Sequence, residues 1–346
     1  MGPPYGFIAS PSVLLAQRIN RKMTWIVEQD RTWAEWAALR ILRVGPVPNH
    51  LAIIMDGNRR FARKEHKDAL AGHTRGFHKL TEVLCWCRDL GINEVTAYAF
   101  SIENFKRSKQ EVDGLMDLAA EKFAKLLEEK EKLEKHGVCI RVIGDLNLLP
   151  QRIKKLTGEA ILATRHNTKC FLNLALAYTS RDEICSAMNE LSQGVAEGQL
   201  MTSDISEELL EKCLHTRGSR DPDLLVRTSG EVRLSDFLLW QSGFSCLFFT
   251  KVLWPEFTIW HLFGAVFYYQ RHYHTLTAAR QECLALRQCM VEESDIECCH
   301  TKYGDKVSQE HIGAHASARK ERIENFLAKL HEQKLYYLQQ ISNTSD

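Results

Sequence analysis

The chain has 346 residues, 45% of them hydrophobic and 26% charged, enough for one large α/β domain with appendages or for two small domains. Its formal net charge of +1 argues against a general polyanion binder, so no nucleic-acid partner is expected and any basic site must be local. No apolar run reaches the roughly 18 residues of a membrane span, and the eleven cysteines, lacking paired spacing, read as reduced thiols.

Residues 1–27 carry no acid and include Arg18, Arg21 and Lys22, a composition compatible with a transit peptide. Pro3, Pro4 and Pro11 oppose a clean amphipathic helix there, and an extension ahead of Met23 is the simpler reading. Residues 24–44 form a short amphipathic arm rich in tryptophan (Trp25, Trp33, Trp36), closed by Gly45-Pro46-Val47-Pro48.

The run His50-Leu51-Ala52-Ile53-Ile54-Met55 then stops at Asp56-Gly57-Asn58-Arg59-Arg60. This reads as a buried strand emptying into a glycine turn that opens a helix. Exposed N–H groups at a helix start attract phosphate, arginine grips phosphate oxygens in pairs, and a lone Asp suits a Mg²⁺ ion completed by diphosphate. An ordinary strand-to-helix turn with solvated arginines is the plain alternative.

Further apolar runs of strand length follow at 95–100, 138–143, 171–178, 224–227 and 246–250. The clearest helix between them is 111–136, with Val112, Leu115, Met116, Ala119, Phe123, Leu126, Leu127 and Leu133 on one stripe and Gly137 as its stop. Six strands alternating with helices imply a parallel sheet covered on both faces. Sites in such sheets lie at the carboxyl ends of strands. Three polar clusters fall there, at 56–60, 101–107 and 227–235, so Arg60, Arg107, Arg227 and Arg233 are expected in one cleft. Unpaired buried charge is costly, and two diphosphate groups would account for four arginines. Ser235 also suits the cap of a helix leading to Trp240, and His73 that of another. From about Arg271 the chain is polar, with a charged helix at 320–340 of the kind that forms a solvated face or an oligomer contact. Cys298-Cys299-His300 lacks zinc-ligand spacing.

Taken together, Met55-Asp56-Gly57-Asn58-Arg59-Arg60, Gly72-His73, Ala99-Phe100-Ser101-Ile102-Glu103-Asn104-Phe105, Arg227-Thr228-Ser229-Gly230-Glu231, Phe237-Leu238-Leu239-Trp240-Gln241 and Leu253-Trp254-Pro255 resemble the signature blocks of the cis-prenyltransferases. They occur in order across about 46–271. Arg59 and Phe105-Lys106-Arg107-Ser108-Lys109 are most similar to the eukaryotic, dehydrodolichyl diphosphate-forming branch. The resemblance implies an α/β fold: a six-stranded, mainly parallel sheet flanked by helices, with a hydrophobic tunnel. A helical arm (1–45) would precede the catalytic domain (46–270) and a helical tail (271–346) follow it. It implies elongation of farnesyl diphosphate by isopentenyl diphosphate through cis double bonds, for dolichol synthesis and protein glycosylation.

By the same resemblance Asp56 would hold Mg²⁺. Asp56, Gly57, Asn58, Arg59, Arg60, His73 and Arg107 would bind farnesyl diphosphate. Arg60, Arg107, Arg227, Arg233 and Ser235 would seat isopentenyl diphosphate. Asn104 would assist proton removal, although an amide is a poor base and a diphosphate oxygen is the better acceptor. The 111–136 stripe would line the tunnel, and the tryptophan-rich arm would serve as interfacial anchor or tunnel lid.

Some positions depart from the family pattern. Ala69 stands where an Arg is usual, with Lys64 or Lys67 as partial substitutes, and Cys246 stands where bacterial relatives place a glutamate near a metal-bound water. The chain lacks an Arg-x-Gly ending, which implies that an accessory subunit resembling the Nogo-B receptor supplies it, in a hetero-oligomer on the cytosolic face of the endoplasmic reticulum membrane. A non-catalytic subunit of the same complex is the rival reading. Such subunits lose the Asp-Gly-Asn block and keep the tail, the reverse of this chain. A haloacid-dehalogenase-type phosphatase would need a nucleophilic Asp where Ile54 stands.

Overall fold

The computed structural model describes Trp25 and residues 30–344; the features expected before Trp25, including the alternative start at Met23, lie outside the described residues. Helix α1 (Trp33–Leu42) begins at a reciprocal cap, in which Thr32 Oγ1 accepts from the Glu35 N–H and the Glu35 carboxylate accepts from the Thr32 N–H. Leu39 and Leu42 turn inward, whereas Trp33 and Trp36 stay 84% and 55% exposed.

The chain continues through β1 (His50–Ile54), α2 (Asn58–Lys64), α3 (Ala69–Leu90), β2 (Glu94–Ser101), α4 (Lys109–Glu128), α5 (Lys130–His136), β3 (Val138–Ile143), α6 (Gln151–Thr164) and β4 (Cys170–Tyr178). It then forms α7 (Ser180–Ala196), α8 (Glu207–Cys213), β5 (Leu224–Arg227), β6 (Cys246–Phe249), α9 (Ile259–Tyr303) and α10 (Gln309–Asn343). The six strands lie in the order β3-β4-β2-β1-β5-β6, and every neighbouring pair is parallel. All six expected strands agree within a residue at each end. Strand β1 is buried along its whole length, as a central strand covered on both faces must be.

The expected helix 111–136 breaks at Glu129, which leaves the helical region (φ −97°, ψ 15°) and whose carboxylate accepts the Trp25 N–H at 2.9 Å. Gly137, at φ 65°, ends α5. The helix expected to lead to Trp240 does not form. Instead Ser229, Ser235, Asp236 and Leu238 take left-handed φ values of 84°, 50°, 59° and 47°. Such a backbone is costly for residues with a Cβ. It is held by surrounding bonds: Ser180 N–H to Asp236 O (2.8 Å), Arg181 Nε to Asp236 Oδ2 (2.8 Å), and Tyr98 Oη to Ser235 O (3.3 Å).

Helix α9 runs unbroken past residue 270, so the expected boundary with the tail falls inside one helix. The tail then doubles back. Asp295 on α9 accepts from Arg319 (2.9 and 3.0 Å), and buried Asp204 accepts from Arg322 (2.9 and 2.7 Å). Helix α10 buries Phe326, Leu338 and Ile341, so it is a docked element with only its outer face solvated. All eleven cysteines are unpaired. No helix among the described residues is long and apolar enough to cross a membrane.

Two glycines set the approach of α2 to its neighbours. Gly57 takes φ 109°, and a Cβ there would sit 3.0 Å from Leu253 Cδ2. At Gly76 on α3 a Cβ would stand 2.3 Å from Asn58 Oδ1 and 3.0 Å from Trp254 Cδ1. Gly76→Ala is therefore expected to cost about 1–3 kcal/mol by overpacking, read as a lower midpoint in chemical denaturation. An unchanged midpoint would mean that α2 and α3 separate freely.

Candidate active site

Strands β1 and β5 are neighbours in register, Ile54 opposite Arg227, so the residue two beyond β1 and the last residue of β5 emerge side by side. Asp56 Oδ2 accepts from Arg227 Nη2 at 3.0 Å, and Arg60 Nη2 lies 3.7 Å from the same oxygen. Thr228 clamps the Asp56 backbone from both sides, accepting its N–H (3.1 Å) and donating to its carbonyl (2.7 Å). Burial pushes the Asp56 pKa up, but the Arg227 hydrogen bond, the neighbouring Ser229 hydroxyl and the charges of Arg227 and Arg60 outweigh it. The carboxyl therefore titrates below its ordinary value and is ionised at neutral pH. Arg227 is almost wholly buried, donates through Nη1 to Arg233 O and to Ser235 Oγ (2.7 Å), and keeps Nε buried without a partner.

A second knot forms where α4 starts. Glu111 Oε1 accepts from Arg107 Nη1 at 2.9 Å and lies 4.0 Å from His73 Nε2, while Arg59 Nη1 is 3.9 Å from its other oxygen. Burial first, then the positive charges of Arg107 and Arg59 against the opposing Glu111, lower His73 to about 4. Its imidazole is neutral at pH 7, with Nε2 buried and without a hydrogen bond.

Asp56, Asn58, His73, Asn104, Arg107, Arg227, Arg233 and Ser235 line one cleft of about 580 Å³ at the carboxyl ends of the strands. Gly57, Arg59 and Arg60 stand at the start of α2 beside it, Gly57 as a helix cap with no side-chain cap bond. Met55, Asn58, His73, Ala99, Phe100 and Leu115 also line an apolar cavity of about 130 Å³, so the cleft and a greasy channel share a wall. From α4, Met116, Ala119 and Phe123 continue that wall, whereas Leu126, and Leu133 of α5, are buried in the core without lining it. Trp25 lines the channel too, its Nε1 donating to Lys122 O at 2.9 Å and its ring set edge-on to Phe77.

Several sequence expectations change here. The arginines are not unpaired: Arg227 has Asp56, Arg107 has Glu111, and both Arg60 and Arg233 have Glu231. His73 lies inside α3, whose cap is Asp68. Ser235 caps no helix and accepts from Arg227 instead. Asn104 Oδ1 is taken by the Ser101 N–H at 3.0 Å, which caps a short 3₁₀ turn. Lys64 is paired with Glu256 and Lys67 with Glu65, and neither is among the residues lining the cleft. Cys246 pairs in register with Leu224, three residues before Arg227 meets Phe249, and its thiol is buried at the other end of β6. Sequence reading missed Glu111, Thr228 and Tyr98. Thr228 lay inside a signature block without a role of its own, and Glu111 left the signal of its spacing, four residues after Arg107 in the first turn of a helix.

Because burial holds His73 neutral, the folded state resists protonation that the unfolded chain accepts. The stability it adds is complete above its ordinary value of 6.5 and is lost as pH falls from there to about 4. His73→Gln should flatten the pH dependence of the denaturation midpoint in that window. Identical slopes for variant and parent would contradict the buried neutral imidazole.

The family described as putative undecaprenyl diphosphate synthase matches residues 54–276. The human dehydrodolichyl diphosphate synthase complex subunit DHDDS is 49% identical over 332 residues, covering 93% of this chain and 100% of that protein. The tritrans,polycis-undecaprenyl-diphosphate synthase (geranylgeranyl-diphosphate specific) of Thermococcus kodakarensis is 47% identical over 219 residues, 63% of this chain and 83% of its own. Among solved structures, lavandulyl diphosphate synthase from Lavandula x intermedia in complex with dimethylallyl diphosphate superposes with a TM-score of 0.61 at 34% identity, covering 65% of this chain and 95% of that one. A parallel six-stranded sheet, its strand-end cleft and these likenesses agree: the chain belongs to the undecaprenyl diphosphate synthase family of cis-prenyltransferases.

Proposed function

We propose that this chain adds isopentenyl diphosphate units to farnesyl diphosphate, making a long-chain polyprenyl (dehydrodolichyl) diphosphate for dolichol synthesis. The observation that carries this reading is the shared wall between an arginine-rich cleft and an apolar channel. One end suits diphosphate and the other suits a hydrocarbon chain. Each added five-carbon unit that enters the channel gains up to ~4 kcal/mol at ~0.8 kcal/mol per methylene, which favours repeated additions before release.

In this reading Arg107, His73, Asn58 and the opening of α2 (Gly57, Arg59, Arg60) take the allylic diphosphate, while Arg227, Arg233 and Ser235 take isopentenyl diphosphate, with Arg60 and Arg107 within reach of both. Arg227 Nε, His73 Nε2 and Asn58 Oδ1 are buried without partners, polar atoms that ligand groups would satisfy. As the allylic C–O bond breaks, charge grows on the departing diphosphate, and fixed cations there lower the barrier without reorganising. Substrate oxygens would draw Arg107 and Arg233 from Glu111 and Glu231. The proton lost after C–C bond formation goes to a diphosphate oxygen, since the Asn104 amide stays neutral and its oxygen already holds the Ser101 N–H.

Asp56 fits a Mg²⁺ site. It is ionised, a third of its side chain is open to the cleft, and Mg²⁺ takes few carboxylates with water and phosphate oxygens. Bound there, the ion would neutralise charge on the leaving diphosphate. Among the described residues no cluster of three or more acidic, His or Cys side chains forms a metal cage, so such an ion would depend on substrate oxygens.

The same proposal includes an accessory subunit resembling the Nogo-B receptor and peripheral contact with the cytosolic face of the endoplasmic reticulum membrane. The human relative is described as a complex subunit. In this chain β6 is an edge strand with Leu247 exposed, and Phe248 packs on Tyr268 of α9, where Trp260 and Phe267 are also exposed. Exposed Trp33, Trp36, Ile41 and Val44 on and beside α1 suit a lipid interface.

Asp56→Ala should abolish condensation with the fold retained, measured by incorporation of radiolabelled isopentenyl diphosphate; normal turnover at saturating Mg²⁺ would refute its role. Arg233→Ala should raise the KM for isopentenyl diphosphate by the worth of one charge-assisted contact, about 1.5–3 kcal/mol, and an unchanged KM would remove Arg233 from the site. Adding the accessory subunit should raise turnover strongly, so equal activity with and without it speaks for a self-sufficient enzyme.

A further inference from the structure

A second polar cavity lies between α10 and the body of the protein, separate from the cleft. It has two lobes of about 500 and 890 Å³ that share Val142, Ile161, His215, Arg217, Lys334 and Leu338. Lys334 comes from α10, and His215 and Arg217 come from the segment between α8 and β5.

The cations at the junction of the lobes lack direct partners. Neither the Lys334 ammonium nor the Arg217 guanidinium has a carboxylate within ion-pair distance among the described residues, although Glu190 acts electrostatically on both and Glu183 on Lys334. Glu183 is occupied by neutral donors, namely Tyr178 Oη (2.6 Å), Gln241 Nε2 (2.9 Å) and the Thr216 N–H (3.0 Å). Glu190 keeps Oε2 buried without a partner, and His215 keeps Nδ1 in the same state. Asp145 and Asp182 line only the smaller lobe. Burial, with Arg217 adding to it, lowers Lys334 to about 8, and burial chiefly lowers His215 to about 3. The junction therefore holds two cations without direct partners, the carboxylates of Glu183 and Glu190, a neutral imidazole, and two buried polar atoms, His215 Nδ1 and Glu190 Oε2, without a hydrogen bond. Arg217 opposes the Lys334 charge while Glu190 and Glu183 support it, and an anion held between the two cations would supply the direct charge-assisted contacts that neither has.

We propose that this cavity is a second anion site, taking a phosphate or diphosphate group between Arg217 and Lys334. Phosphate chemistry fits the remaining groups. Its oxygens accept from the guanidinium, the ammonium and the His215 Nδ1–H, while a P–OH donates to Glu190 Oε2; a halide has no such donor. Because the cations belong to different elements, the bound group would fasten α10 to the body and couple anion concentration to docking of the tail. Free inorganic diphosphate and a phospholipid headgroup offer the same chemistry.

The test is hydrogen–deuterium exchange on the full chain, with inorganic diphosphate in one arm and vesicles containing phosphatidic acid in the other. Slowed exchange at 214–218 and 330–338 is expected in at least one arm. Diphosphate alone identifies a free anion as ligand, and vesicles alone identify a headgroup. Lys334→Met and Arg217→Met should each weaken binding about tenfold or more, the loss of one charge-assisted contact. If Lys334→Met releases α10 on its own, seen as faster exchange over 309–343 without ligand, Arg217→Met supplies the reading from the other side of the cavity. No protection in either arm, protection confined to the strand-end cleft, or protection that survives Arg217→Met would show that the cavity holds only water. None of these outcomes depends on the condensation assay.

Discussion

The Asp56–Arg227 pair is the contact around which the cleft is arranged. It joins the residues that leave two adjacent parallel strands, so its geometry is set by sheet register more than by side-chain freedom. A buried guanidinium is tolerable only when paired. Here Asp56 supplies the charge, while Arg233 O and Ser235 Oγ supply further acceptors. Those acceptors belong to the 228–245 turn, so one side chain fixes both the acid and the loop opposite it.

The same economy recurs at each arginine. Glu111 and Glu231 hold cations in place while the cleft is without substrate, which avoids isolated charge and keeps the guanidinium groups oriented. Diphosphate competes with carboxylate for the same donors. Binding is therefore an exchange of anions around fixed cations, and the surrounding packing need not rearrange. The left-handed residues between Ser229 and Leu238 point the same way. Their strain persists because Tyr98, Ser180 and Arg181 over-determine the loop, which is common where a chain must deliver polar groups to a ligand.

The channel wall comes from elements that the sequence presents as ordinary core. Leu115, Met116, Ala119 and Phe123 belong to the same stripe as Leu126, yet the first four line the channel and the last is buried in the core without lining it. Helical period alone cannot separate these fates, since both need apolar side chains on one face.

The sequence by itself determined the six strands, the Asp-Gly turn and the strand-end placement of all three polar clusters. Uniformly apolar strands between helices allow little but a parallel sheet, and such sheets expose polar residues at strand ends. The signature blocks carried the family as well. Tertiary structure alone decided the rest. Glu111 reads as one more acid on a helix start until the Arg59 and His73 side chains arrive from α2 and α3. The stop at Glu129 and the failure of residues 235–240 to form a helix come from contacts with distant residues that no local window contains. Docking of α10 against α6, and the meeting of Arg217 with Lys334 beneath it, likewise arise from segments more than a hundred residues apart, where burial and pairing depend on what else folds there.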